Sequence, residues 1–225
     1  MNWLINNFPS AWELTVEHAY LSFAPTVIGL IVALLLGLAL GNRPRPRTIA
    51  TVLASAMFTV PSLALFVIIP SLLGTGILNP LNVVIALSLY SASLLIRTVF
   101  DSLDAVPADA LAAAEAMGYS TVRRRLLIDL PLAIPTLAAG LRVAAVTNVS
   151  LVSVGAVIGV GGLGQLFTAG YQRDYPDEIL AGIIMVLALA LVFDRIIAIA
   201  AFLLTPWVRA ARSAVPRTAG FGGRR

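Results

Sequence analysis

Residues 179–204 read ILAGIIMVLALALVFDRIIAIAAFLL, an apolar run interrupted only by Asp194 and Arg195. A hydrocarbon core about 30 Å thick is crossed by roughly 20 apolar residues, and they must be helical because lipid offers no partner to free backbone N–H and C=O groups. Four more runs meet that demand, at residues 22–40, 49–73, 81–100 and 130–158. The expected fold class is therefore all-α, a polytopic transmembrane bundle of about five spanning helices. The fourth run is long, and Gly155 and Gly159 mark where it should tilt or break.

Composition agrees. Of 225 residues, 59% are hydrophobic and 12% charged, with a mean hydropathy of +0.95. Too few polar residues remain to cover the outside of a soluble domain. The net charge of +4 raises nucleic acid as a partner, but the basic residues, all Arg, sit in short clusters between apolar runs. That pattern orients a membrane protein and gives no nucleic-acid surface. With no Cys, disulfides, thiolate metal sites and a cysteine nucleophile are excluded.

Cytoplasmic flanks carry the Arg excess. Arg43, Arg45 and Arg47 follow the first run, Arg123, Arg124 and Arg125 the third, and Arg209, Arg212, Arg217, Arg224 and Arg225 the fifth. Five spans place all three clusters on one side and leave only Arg173 opposite, among Asp174, Asp177 and Glu178. The N-terminus is then outside and the C-terminus inside. Glu13 and Glu17 precede the first run where a signal peptide would carry positive charge, so that run reads as a retained helix. Residues 1–21 are expected to form an extracytoplasmic segment, residues 22–207 the membrane domain, and residues 208–225, rich in Gly and Arg, a disordered cytoplasmic tail.

The longest cytoplasmic connection, residues 101–130, is built for helix. Pro107 suits a first turn, Asp109 puts negative charge at a helix start, and residues 110–116 are strong helix formers. Gly118 ends that helix and Ser120 caps a second one leading to Leu130 and Pro131. Two short helices at a bend form a knob, small on its Ala side, that suits a groove on another protein.

The knob resembles the cytoplasmic signature of permeases of binding-protein-dependent ABC importers: Glu-Ala-Ala, three residues, Gly, nine residues, Ile-x-Leu-Pro. Here Ala112, Ala113 and Ala114 are followed by Glu115, Ala116 and Met117, then Gly118, nine residues beginning with Tyr119, and Ile128, Asp129, Leu130 and Pro131. The leading Glu is replaced by Ala112, and Glu115 is the nearest acidic substitute. The resemblance implies the type I ABC importer permease (MetI-like) fold in a bacterial cell membrane. It also implies a coupling loop that docks on two cytoplasmic ABC ATPase subunits, a second permease copy or related permease, and an extracytoplasmic substrate-binding protein. ATP and Mg would be held by the partner ATPase; this chain has no Walker A pattern and no cofactor of its own. The stretches at 61–65, 132–135, 139–142 and 161–164 resemble the osmoprotectant branch, which takes up glycine betaine, carnitine or choline. The methionine permeases are also similar, and residues 170–173 lean their way. A self-contained secondary transporter or channel would need an internal repeat or coupling-ion site, and neither is found.

A quaternary ammonium substrate favours aromatic faces. Candidates for the translocation pathway are Phe58, Pro61, Ser62, Tyr90, Arg142, Asn148, Ser150 and Ser153. Arg97, Asp194 and Arg195, in or near the spans, more often form structural pairs or snorkel to the interface. Gly159, Gly161 and Gly164 match G-x-G-x-x-G, but they follow a spanning run rather than a strand, which suits a turn and not a dinucleotide. His18 is the single histidine, too few for a metal site, and interface packing is its expected role.

Overall fold

The computed structural model describes residues 2–41 and 43–214. It is helical throughout, with no strand among the described residues. A short α1 (Asn2–Asn6) leads into α2 (Phe8–Leu40). At 1.5 Å per residue α2 runs about 50 Å, well beyond one hydrocarbon core. The boundary expected between residues 21 and 22 falls inside this helix. Ala11, His18 and Leu21 are fully buried against the bundle, so tertiary packing fixes a stretch whose composition suggested a separate segment.

The second expected span is two helices, α3 (Pro44–Thr59) and α4 (Ser62–Leu73), bent by 100°. Pro61 explains the bend: it has no N–H to donate, and it drives Val60 into extended geometry, φ −67° and ψ 130°. Next comes α5 (Pro80–Asp104), capped by Asn79, whose side chain accepts from the Leu81 N–H at 3.0 Å. It is the central helix, with two thirds of its most apolar window buried.

The connection after α5 forms α6 (Ala108–Ala116) and α7 (Thr121–Arg124), followed by a π-helical turn over Arg125–Asp129 that opens directly into α8 (Leu130–Gly155). The expected break after Gly155 occurs there, as two 3-10 turns, Ala156–Ile158 and Gly162–Gly164, with Gly159 at φ +87°. The chain continues through α9 (Gln165–Gln172), α10 (Pro176–Leu204) and α11 (Pro206–Ala214). The helical α11 corrects the expectation of disorder from residue 208; the rest of that expected tail, 215–225, lies outside the described residues. By length and composition four helices among the described residues can cross a membrane, or five where the bent α3–α4 pair counts as one broken span.

The core forms three apolar clusters along the bundle. Leu21, Phe66, Leu87 and Val152 anchor one, Ala33, Leu95, Val99 and Leu137 a second, and Val149, Leu163, Leu166 and Leu189 a third. Helices α2 and α5 meet through small residues, as helices in lipid do when dispersion rather than hydrophobic driving force holds them. A Cβ at Gly37 would strike Val99 Cγ1, and one at Gly29 would strike Ser91 Cβ.

Candidate functional site

The knob is built from local signals. Asp109 sits in the first turn of α6, and Gly118 adopts φ +79° at its end. The Gly118 N–H donates to Glu115 O at 2.9 Å and the Tyr119 N–H to Ala114 O at 3.1 Å, the Schellman pattern that satisfies the last carbonyls of a helix. Ser120 then caps α7, its Oγ accepting from the Arg123 N–H at 3.4 Å. Replacing Ser120 with Ala is expected to cost about 1 kcal/mol locally, read as roughly fivefold faster amide exchange over α7; unchanged exchange would show that the cap is idle.

Of the α6 residues, only Ala114 is buried. Ala112, Ala113, Glu115, Ala116, Met117 and Gly118 face outward, with Met117 66% exposed, while Tyr119, Ile128, Leu130 and Pro131 are half-buried at the base. Side chains brace the bend. The Arg124 guanidinium pairs with Glu115 across it and lies 3.4 Å from Asp129, and Arg123 lies over the Tyr119 ring. Glu115 thus gains a partner that its place in the motif does not reveal.

Two contacts tie the knob region to the spans. Arg125 Nη1 donates to Leu38 O at 2.8 Å, at the end of α2. Arg47 on α3 makes paired hydrogen bonds of 3.0 and 2.6 Å to Asp104 on α5 while lying over Phe100. The sequence marked both arginines only as topology signals, because their partners lie 87 and 57 residues away.

Within the membrane the pathway candidates separate. Phe58 and Tyr90 are brought together, ring centroids 5.7 Å apart and planes at 68°, but Tyr90 is buried, 6% exposed, and the crevice they share with Ser91, Ala144, Thr147 and Asn148 is closed to water, so Tyr90 does not line an open path here. Pro61 is exposed at the bend and Ser62, half-buried, opens α4. Asn148 is not an open lining group in this conformation. It is 1% exposed, and its Nδ2 donates to Thr26 Oγ1 at 2.7 Å and Ser91 Oγ at 2.6 Å, tying α2, α5 and α8. Removing that donor with Asn148→Leu is expected to lower stability by about 1 kcal/mol, read as an earlier denaturation midpoint; an unshifted midpoint would refute the tie.

Ser150 is exposed and lies in register with Ala139, Val143 and Val146, one outward stripe of α8. Ser153 is half-buried and its shielded Oγ has no partner. Arg142 reaches α10, where Nε and Nη2 donate to the two Asp194 oxygens at 2.6 and 2.9 Å. On a helical wheel Thr147 and Arg142 lie about 70° to either side of the stripe. The aromatic pair and the ion pair therefore flank one surface.

Other signals resolve as packing. The Gly161–Gly164 turn sits on α2: Gly162 has φ +46°, and a Cβ there would lie 2.7 Å from the His18 backbone nitrogen. His18 is fully buried, its Nε2 2.9 Å from Val149 O. Arg97 pairs loosely with Asp101 at 3.8 Å. Among the described residues no metal-binding group is present.

The bundle is that of a polytopic membrane protein, with a braced helix–glycine–helix projection between α5 and α8. The chain belongs to the family described as binding-protein-dependent transport system inner membrane component, which matches residues 25–210. It is a transport component and not an enzyme. It is similar to the osmoprotectant import permease protein OsmW of Salmonella typhimurium, 31% identical over 92% of this chain and 97% of that one. It is also similar to the glycine betaine/carnitine/choline transport system permease protein OpuCB of Bacillus subtilis, 29% identical over 92% and 94%. Among solved structures, an inward-facing MetNI methionine ABC transporter chain superposes with a TM-score of 0.71 at 23% identity, covering 91% of this chain and 98% of that one. That likeness establishes the MetI-type fold.

Proposed function

We propose that this chain is the permease through which an osmoprotectant bearing a quaternary ammonium group, such as glycine betaine, carnitine or choline, enters the cell. The knob at residues 101–130 seats on cytoplasmic ATPase subunits, one for each of two permeases, which hold ATP and Mg. An extracytoplasmic binding protein delivers the solute, the N-terminus lies outside and the C-terminus inside.

The observation that carries the coupling role is the outward surface of α6. A helix that buries one alanine and presents Ala112, Ala113, Ala116 and Met117 lacks its packing partner. Closure of the ATPase pair would push it, and Arg125 on Leu38 O would pass the movement to α2. The Arg clusters at 43–47 and 123–125 support an inward-facing knob. The substrate class is supported by the relatives' names and by the exposed Phe58 ring, an aromatic face of the kind a quaternary ammonium favours.

The chain contains no Cys, so Met117→Cys supplies a unique label. A membrane-impermeant maleimide is expected to react with it only from the cytoplasmic side, and a co-expressed ATPase is expected to shield it. Labelling from outside would overturn the coupling assignment. Uptake of radiolabelled glycine betaine or choline by the assembled transporter tests the substrate class, and no uptake of either would sink it.

A further inference from the structure

The Arg142–Asp194 pair carries a consequence for which solutes pass. It lies in the inner half of the bundle, Asp194 being about 15 Å along α10 from Leu204. The pair leaves much of the arginine unused. Asp194 takes Nε and Nη2, and among the described residues Nη1 has no hydrogen-bond partner. The Arg142 side chain is 42% exposed and Asp194 18%, so the carboxylate is the sheltered half and the guanidinium edge the open one.

That edge borders a cleft of about 360 Å³ floored by Pro135, Ala138 and Ala139 of α8 and Ala198 and Ala201 of α10. The volume matches that of about a dozen waters, ample for a small zwitterion. Other cations stand nearby. Arg195 Nε lies 3.9 Å from Asp194 Oδ2 but its side chain is turned out of the cleft and 73% exposed, and the cleft's other cation, Arg209, is stacked on Phe202. A carboxylate entering the cleft would meet a fork of N–H donors already oriented by Asp194.

We propose that the open edge of Arg142, oriented by Asp194, is a carboxylate-binding site that favours quaternary ammonium solutes carrying a carboxylate over those lacking one. The inference rests on the substrate class given under Proposed function. The exposed ring of Phe58 lies on the other side of the α8 stripe, so the two ends of a zwitterion have separate surfaces to follow. Arg195 and Asp194 act through Arg142 and are positioning residues.

The test compares glycine betaine, which has the carboxylate, with choline, which lacks it, using the complete transporter with its ATPase and binding protein in proteoliposomes. Arg142→Lys keeps a cation against Asp194 but loses the planar fork; the double variant Arg142→Gln, Asp194→Asn removes both charges together. The expected result is a roughly tenfold fall in the glycine betaine to choline ratio of kcat/KM in each variant. The binding protein's own preference is common to wild type and variants and cancels. Where wild type imports only glycine betaine, the fall is read as a rise in KM with kcat retained. An unchanged ratio, a loss confined to kcat, or failure of even the lysine variant to reach the membrane would make the pair structural and overturn the proposal. Wild type that imports neither compound refutes the substrate class instead.

Discussion

A Gly118→Val variant is expected to lose solute uptake and nucleotide-stimulated ATP hydrolysis together, by about tenfold or more, while its level in the membrane stays near wild type. The cause is backbone rather than bulk. Gly118 sits at φ +79°, and a Cβ there meets nothing within 4 Å. An L-residue in left-handed geometry costs about 1–2 kcal/mol, and a β-branched one is a worse fit. The chain relieves that cost by swinging α6 away from α7, and the Glu115–Arg124 bridge across the bend is lost. The spans do not pass through this position, so insertion survives. Gly118→Asn separates the causes, because Asn tolerates positive φ; it should retain most uptake. Wild-type uptake by the valine variant would refute the knob's mechanical role.

Gly29→Leu should damage the fold itself. Gly29 lies where α2 presses on α5, and an added Cβ would sit 2.7 Å from the Ala92 nitrogen and 2.9 Å from the Ser91 carbonyl carbon, as well as colliding with Ser91 Cβ. Backbone atoms cannot rotate aside as a flexible side chain would. The helices must separate, at about 3 kcal/mol or more, and the displaced Ser91 leaves Asn148 without one of its two acceptors. A loss of assembled protein and a markedly lower denaturation midpoint in detergent are expected. Gly76→Ala is the control: its Cβ meets nothing within 4 Å and its φ is not positive, so its stability should stay within about 0.5 kcal/mol of wild type. Equal behaviour of the two variants would refute the close packing of α2 on α5.

The spans and the knob were legible because their causes are local. Hydrophobic run length answers to membrane thickness, and Ser120 and Gly118 to hydrogen bonds made within a few residues of themselves. The 100° bend at Pro61 is also local, yet the apolar run at 49–73 conceals it, since hydrophobicity along the run does not register the one residue that breaks the helix. The continuity of residues 8–21 with the first span has a different cause. Composition before residue 22 suggests a separate segment, but burial of His18 and Leu21 depends on α8 and the Gly161–Gly164 turn, far away in the chain.

By itself the sequence determined that the chain lives in lipid and where a helix–glycine–helix knob interrupts its apolar runs, because each follows from interactions spanning a turn or two. Only the tertiary structure decided that Asn148 is a three-helix tie, that Arg142 belongs with Asp194, and that Arg125 fastens the knob to α2. Those pairings are fixed by how helices distant in the chain pack together, and hydrophobicity along one strand of sequence carries no record of which polar group meets which.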